Sequence, residues 1–74
     1  MTNTITTTNA QTAIETARKC NAFAIVYDGQ TKEFEIVTKE QLQVIEDAID
    51  MYACEAWAYT VVYYAHNNFK GLGV

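Results

Sequence analysis

The stretch Trp57-Ala58-Tyr59-Thr60-Val61-Val62-Tyr63-Tyr64-Ala65 decides the fold, because it reads two ways. As a helix it continues the series Leu42, Ile45, Ile49, Tyr52, Ala56, Tyr59, Tyr63 and His66, whose alternating steps of three and four mark one helical stripe. As a strand its β-branched and aromatic residues alternate Trp57, Tyr59, Val61, Tyr63 against Ala58, Thr60, Val62, Tyr64. No glycine or proline occurs from Lys39 to His66, and no turn residue separates Cys54 from Trp57, so a reversal there lacks the usual backbone chemistry. The expectation is therefore one continuous helix from Lys39 to about Asn67.

Upstream, the start of that helix is well marked. Thr38 serves as N-cap, Gln41 closes a capping box, Glu40 suits the helix dipole, and Val37 staples to Leu42. Before it, Ala22 to Tyr27 and Lys32 to Val37 read as a β-hairpin around Asp28-Gly29-Gln30-Thr31. A loop of those four residues sets Ile25 against Phe34 and Phe23 against Ile36 on a core face. The other face pairs Val26 with Glu33 and Ala24 with Glu35, and is expected to be wet. Earlier still, Ala10, Ala13, Ile14, Ala17 and Cys20 fall on one face of a short helix, with Thr8 and Gln11, or Thr12 and Glu15, as capping boxes. The expected fold class is α+β, a small α-β-β-α domain in which the hairpin packs against a long C-terminal helix. Residues 1-74 read as a single domain, with flexible ends at about 1-7 and 71-74.

Composition narrows the function classes. The chain has 74 residues, half of them hydrophobic, and a net charge of -4, which is too apolar for disorder. Chains this small bury only about 60% of their unfolded surface, so a disulfide, metal or partner is needed for ample stability. Cys20 and Cys54 are read as reduced, mostly buried thiols, and neither has a second cysteine or histidine at zinc-ligand spacing. No cofactor or metal site is expected. The N-terminus lacks the basic start and apolar core of a signal peptide, and the longest apolar stretch is too short to span a bilayer, so a cytoplasmic protein is expected. The five basic residues form no stripe, which argues against direct nucleic-acid binding.

Catalytic signatures are missing. His66 is the sole histidine, which excludes a triad or metal cluster within one chain. Cys54 has no histidine or lysine nearby along a helix to make it a nucleophile. Glu46 and Asp50 stand one helical turn apart, with Asp47 on the neighbouring stripe, and the ordinary reading is a solvated helix face. The aromatics say more. A helix from Lys39 to His66 would be about 42 Å long against about 20 Å for a six-residue strand. Its overhang would carry Tyr52, Trp57, Tyr59, Tyr63 and Tyr64, residue types that interfaces favour.

These readings imply a non-catalytic interaction protein that self-associates as a homodimer or larger homo-oligomer. It would bind a protein partner through Tyr52, Trp57, Tyr59, Tyr63 and Tyr64, flanked by Glu46, Asp47 and Asp50. Short acidic chains without an active site include phage-encoded inhibitors of host nucleic-acid enzymes and defence complexes, and a phage or mobile-element inhibitor of that character is the expectation. The alternative is an oligomer whose aromatic pocket sequesters a nucleotide-like small molecule.

Overall fold

The computed structural model describes residues 5–52 and 58–72. Along the chain lie β1 (Ile5–Thr7), α1 (Ala10–Cys20), β2 (Ala24–Asp28), β3 (Glu33–Val37), α2 (Lys39–Tyr52) and β4 (Thr60–Tyr64), followed by a 3-10 turn at Ala65–Asn67. The strands form one antiparallel sheet in the order β1-β3-β2-β4. The fold is thus α+β, but its order is β-α-β-β-α-β rather than α-β-β-α, and the long C-terminal helix is not present.

Capping chemistry fixes both helices. At α1 the N-cap is Asn9, whose side-chain oxygen accepts the Thr12 N–H at 3.0 Å, in place of the capping boxes expected at Thr8 or Thr12. Its C-terminus closes on Asn21 in the left-handed conformation, with Ala22 N–H donating to Ala17 C=O and Asn21 N–H to Arg18 C=O, the paired bonds of a Schellman motif. At α2 the expected capping box forms: Gln41 N–H donates to Thr38 Oγ1 at 3.2 Å, and Thr38 N–H to Gln41 Oε1 at 2.8 Å. Val37 and Leu42, the expected staple, are buried in one cluster.

Within its strands the hairpin keeps the expected faces but moves its loop by one residue, and Phe23, expected against Ile36 on the face of Ile25, packs instead with the α2-side cluster beside Tyr64. Asp28 pairs with Glu33, Tyr27 with Phe34, Ile25 with Ile36 and Ala24 with Val37, so the loop is Gly29 to Lys32. Asp28 is drawn into the ladder because its carbonyl accepts the Lys32 N–H at 2.7 Å while its carboxylate accepts the Gln30 N–H at 2.8 Å. Lys32 closes the loop with φ at 62°.

Thr60-Val61-Val62-Tyr63-Tyr64 is a strand, not the end of a helix, and pairs with β2 from Thr60 opposite Asp28 to Tyr64 opposite Ala24. The reason is non-local. β2 would otherwise be an edge with an apolar run and unsatisfied backbone groups, and β-branched and aromatic residues fit a half-buried pleat. The overhanging aromatic helix falls with this finding. Ile5–Thr7, expected in a loose end, pairs with β3 as the opposite edge.

Both chain connections β1-α1-β2 and β3-α2-β4 join parallel strands across an intervening one. The two pairs run in opposite directions, so right-handed crossovers put the helices on opposite faces of the sheet. The packing agrees. Ala13, Ile14 and Ala17 of α1 cluster with Ile25 and Ile36, whereas Leu42 of α2 clusters with Ala24, Val26 and Val37. The hairpin face expected to be wet is therefore covered by α2 over half its length. The thin alanine face of α1 is completed from the C-terminus, where Phe69 and Leu72 are buried in the same cluster. Leu72, expected in a frayed tail, thus belongs to the core, while Cys20, expected to be a mostly buried thiol, is exposed.

Candidate interaction site

The site begins with the edge that β4 presents. In an antiparallel ladder the backbone groups of alternate residues point toward the neighbour and away from it. Gly29 N–H donates to Tyr59 C=O at 2.6 Å and Ala65 N–H to Phe23 C=O at 3.0 Å. That phase turns Val61 and Tyr63 inward to β2, and turns the Val62 N–H and C=O and the Tyr64 N–H to the outer side. The Tyr64 carbonyl is taken by the Phe69 N–H at 3.0 Å. β4 contains no charged residue, proline or glycine, the features with which edges are usually blunted. Val61 is 46% exposed and Tyr59 51% exposed. Gly29 lets this edge seat, since a Cβ there would stand 2.8 Å from the Tyr59 carbonyl oxygen.

Beside the edge, on the α2 side, a cleft of about 200 Å³ is lined by Val26, Asp28, Glu35, Ile45, Tyr59 and Thr60, among others. The period-two alternation of the hairpin puts Asp28, Glu33 and Glu35 on one face. Burial raises the Glu35 carboxyl above its ordinary value, and the nearby charges of Asp28 and Glu33 push it the same way. The cleft is thus an acidic, partly desolvated recess with an aromatic rim. It suits a cationic side chain.

No family model, characterised protein or solved structure matches the chain. The geometry alone bears on function.

The residues expected to form one aromatic surface are dispersed. Tyr59 lines the acidic cleft. Tyr63 is half-buried against the α1 core, and Tyr64 packs on the α2 side, edge-on to Phe23 with ring centroids 5.9 Å apart and stacked on His66 at 5.1 Å. Tyr63 and Tyr64 cannot share a surface because adjacent strand residues point to opposite faces. Trp57 and the side chain of Tyr52 lie outside the described residues, as does Cys54. Glu46 is half-buried and Asp47 and Asp50 are exposed, all on α2 and so on the same side of the sheet as the hairpin carboxylates. Asp47 accepts from Gln43 at 3.0 Å. Sequence reasoning missed Val61 and Asp28 as site residues. The absence of any charge from Thr60 to Tyr64 was the available signal for a strand at the sheet edge, where β4 lies among the described residues. Among the described residues no group of three potential ligands could hold a metal, and no helix is long and apolar enough to cross a membrane.

Proposed function

We propose that this chain is a small acidic, non-catalytic interaction protein that docks on a protein partner by receiving an extended segment along the outer edge of β4. The observation that carries the reading is that edge: uncharged, flanked by exposed Val61 and Tyr59, with Val62 and Tyr64 amides directed outward. A strand laid there hydrogen-bonds Val62 and places alternate side chains on the α2 side, beside the wall of the acidic cleft formed by Tyr59 and Thr60. A lysine or arginine at those positions is drawn by the negative potential of that cleft. Basic extended segments are common in proteins that handle nucleic acid, which fits an inhibitor carried by a phage or mobile element against a host nucleic-acid-processing or defence protein. The chain's own acidity, at net charge -4, disfavours direct nucleic-acid binding. Its exposed free thiol at Cys20 fits a reducing cytoplasm.

The same edge supplies self-association. Two β4 strands paired about a two-fold axis bring no like charges together and extend the sheet through a second copy, giving the homodimer. Backbone amide exchange tests both uses. Val62 and Tyr64 should exchange quickly in dilute protein and become protected as concentration rises or partner is added, and Val62→Pro should abolish partner capture while keeping the β2 ladder, whose bonds it does not make. Equal capture by Val62→Pro would refute docking at this edge.

A further inference from the structure

The opposite face of the sheet holds a second recess with reversed electrostatics. Tyr27, Phe34 and Tyr63 line a cleft of about 360 Å³ with Lys32, the start of α1 at Ala10, and Gly71. That volume falls within the usual range for small-ligand sites. The rings are gathered by register: Tyr27 stands directly opposite Phe34, their centroids 4.7 Å apart, and Tyr63 lies opposite the neighbouring Ile25. α1 covers the inner row, Ile25 and Ile36, and leaves the outer row half-buried. Gly71, at φ 98°, carries the chain past the Tyr63 ring at van der Waals distance and forms the far wall.

Lys32 is informative because of its backbone. It sits in the left-handed region at φ 62°, where a hairpin loop ordinarily places glycine or asparagine. A lysine there is a conformational cost to the fold, and what it supplies in exchange is an ammonium at the mouth of an aromatic recess, in a chain that is otherwise acidic. The N-terminus of α1, the positive end of its dipole, lines the same cleft at Ala10.

We infer that this cleft binds a planar aromatic ring carrying a phosphate, the chemistry of a nucleoside monophosphate, with the base among Tyr27, Phe34 and Tyr63 and the phosphate at Lys32. Base-aromatic stacking and a charge-assisted contact to phosphate are the two interactions that the recess provides. The site belongs to one chain and needs neither the β4 edge nor a second copy.

The test uses the full chain and calorimetric titration with AMP, GMP, CMP and UMP, with adenosine and ribose 5-phosphate as separated halves. At least one nucleotide should bind, each half should bind about tenfold or more weakly, and amide shifts should map to Tyr27, Lys32 and Phe34. Lys32→Gly should weaken nucleotide binding about tenfold while raising the melting temperature, because it removes the cation and relieves the left-handed backbone together. Lys32→Arg should retain binding. Opposite signs for stability and affinity separate a ligand role from a structural one. Absence of binding by all four nucleotides at millimolar concentration, unchanged affinity in Lys32→Gly, or ribose 5-phosphate binding as well as a nucleotide would each overturn the inference.

Discussion

Val26→Ala tests whether the sheet is covered on both faces. Val26 is 4% exposed and clusters with Ala24, Val37 and Leu42 beneath α2, whereas Ile25 beside it is 0% exposed and clusters beneath α1. Truncating Val26 removes two buried methyl groups at about 0.8 kcal/mol each. The space left behind adds a cavity term, so the loss should be about 2 kcal/mol. A chain of 74 residues is expected to have a total stability of about 4–11 kcal/mol, so the variant still folds. Urea unfolding followed by far-ultraviolet circular dichroism reads the change. With a slope of about 1 kcal/mol per molar urea, the midpoint should fall by about 2 M. Ile25→Val should cost about 1 kcal/mol on the other face. The double variant should lose about the sum, because the two side chains belong to different clusters. A loss below about 0.5 kcal/mol for Val26→Ala, the size of a solvated substitution, would mean that α2 does not cover this face and would refute the three-layer arrangement.

Three further outcomes follow from local geometry. Thr38→Ala removes the acceptor of the Gln41 N–H and should destabilise by about 1 kcal/mol, with positive coupling to Gln41→Ala in a double-mutant cycle. Glu35 has its folded pKa raised above the ordinary 4.5 by burial, Asp28 and Glu33. The folded state therefore holds this proton more tightly than the unfolded chain. The stabilisation it gives is complete below pH 4.5 and is lost as pH rises through the folded value. Glu35→Gln should flatten that fall and be more stable than wild type at neutral pH, and an unchanged difference across pH would count against burial of the carboxyl. Gly29→Ala places a methyl 2.8 Å from the Tyr59 carbonyl oxygen and should cost about 1–3 kcal/mol, with faster amide exchange concentrated in β4.

What the sequence made legible was local. The periodicity of Ala10, Ala13, Ile14 and Ala17, the Thr38–Gln41 capping box and the hairpin's two faces depend on neighbours within a few residues, and each appears in the structure. What it hid was non-local. Thr60 to Tyr64 satisfies a three-four spacing and a two-residue alternation at once, and only the presence of β2 as a partner selects the strand. Ile5–Thr7 carries one large apolar residue and gains its structure from β3. The wet hairpin face was inferred from Glu33 and Glu35, but those acids occupy only one end of it. The uninterrupted apolar run from Ala22 to Tyr27, typical of a strand buried on both sides, was the contrary signal. The common surface expected for Tyr63 and Tyr64 fails for the same reason: a helical stripe gathers Tyr59 and Tyr63, and a pleat separates Tyr63 from Tyr64.

The hairpin itself sorts the two recesses. Tyr27-Asp28 on one strand and Glu33-Phe34-Glu35 on the other alternate ring with carboxylate. The pleat sends every carboxylate to the α2 side and every ring to the α1 side. Register therefore decides charge as well as packing: a slip of one residue in β3 would carry Phe34 into the acidic recess and two carboxylates under α1. The turn from Gly29 to Lys32 opposes that slip through the Asp28 carboxylate bond to Gln30 and the Asp28 carbonyl bond to Lys32. The left-handed Lys32 is the residue that closes it. One loop thus holds the acidic cleft next to the docking edge and the cationic mouth of the aromatic cleft on opposite sides of a single sheet, which is why substitutions at Lys32 should be read for partner capture as well as for nucleotide affinity.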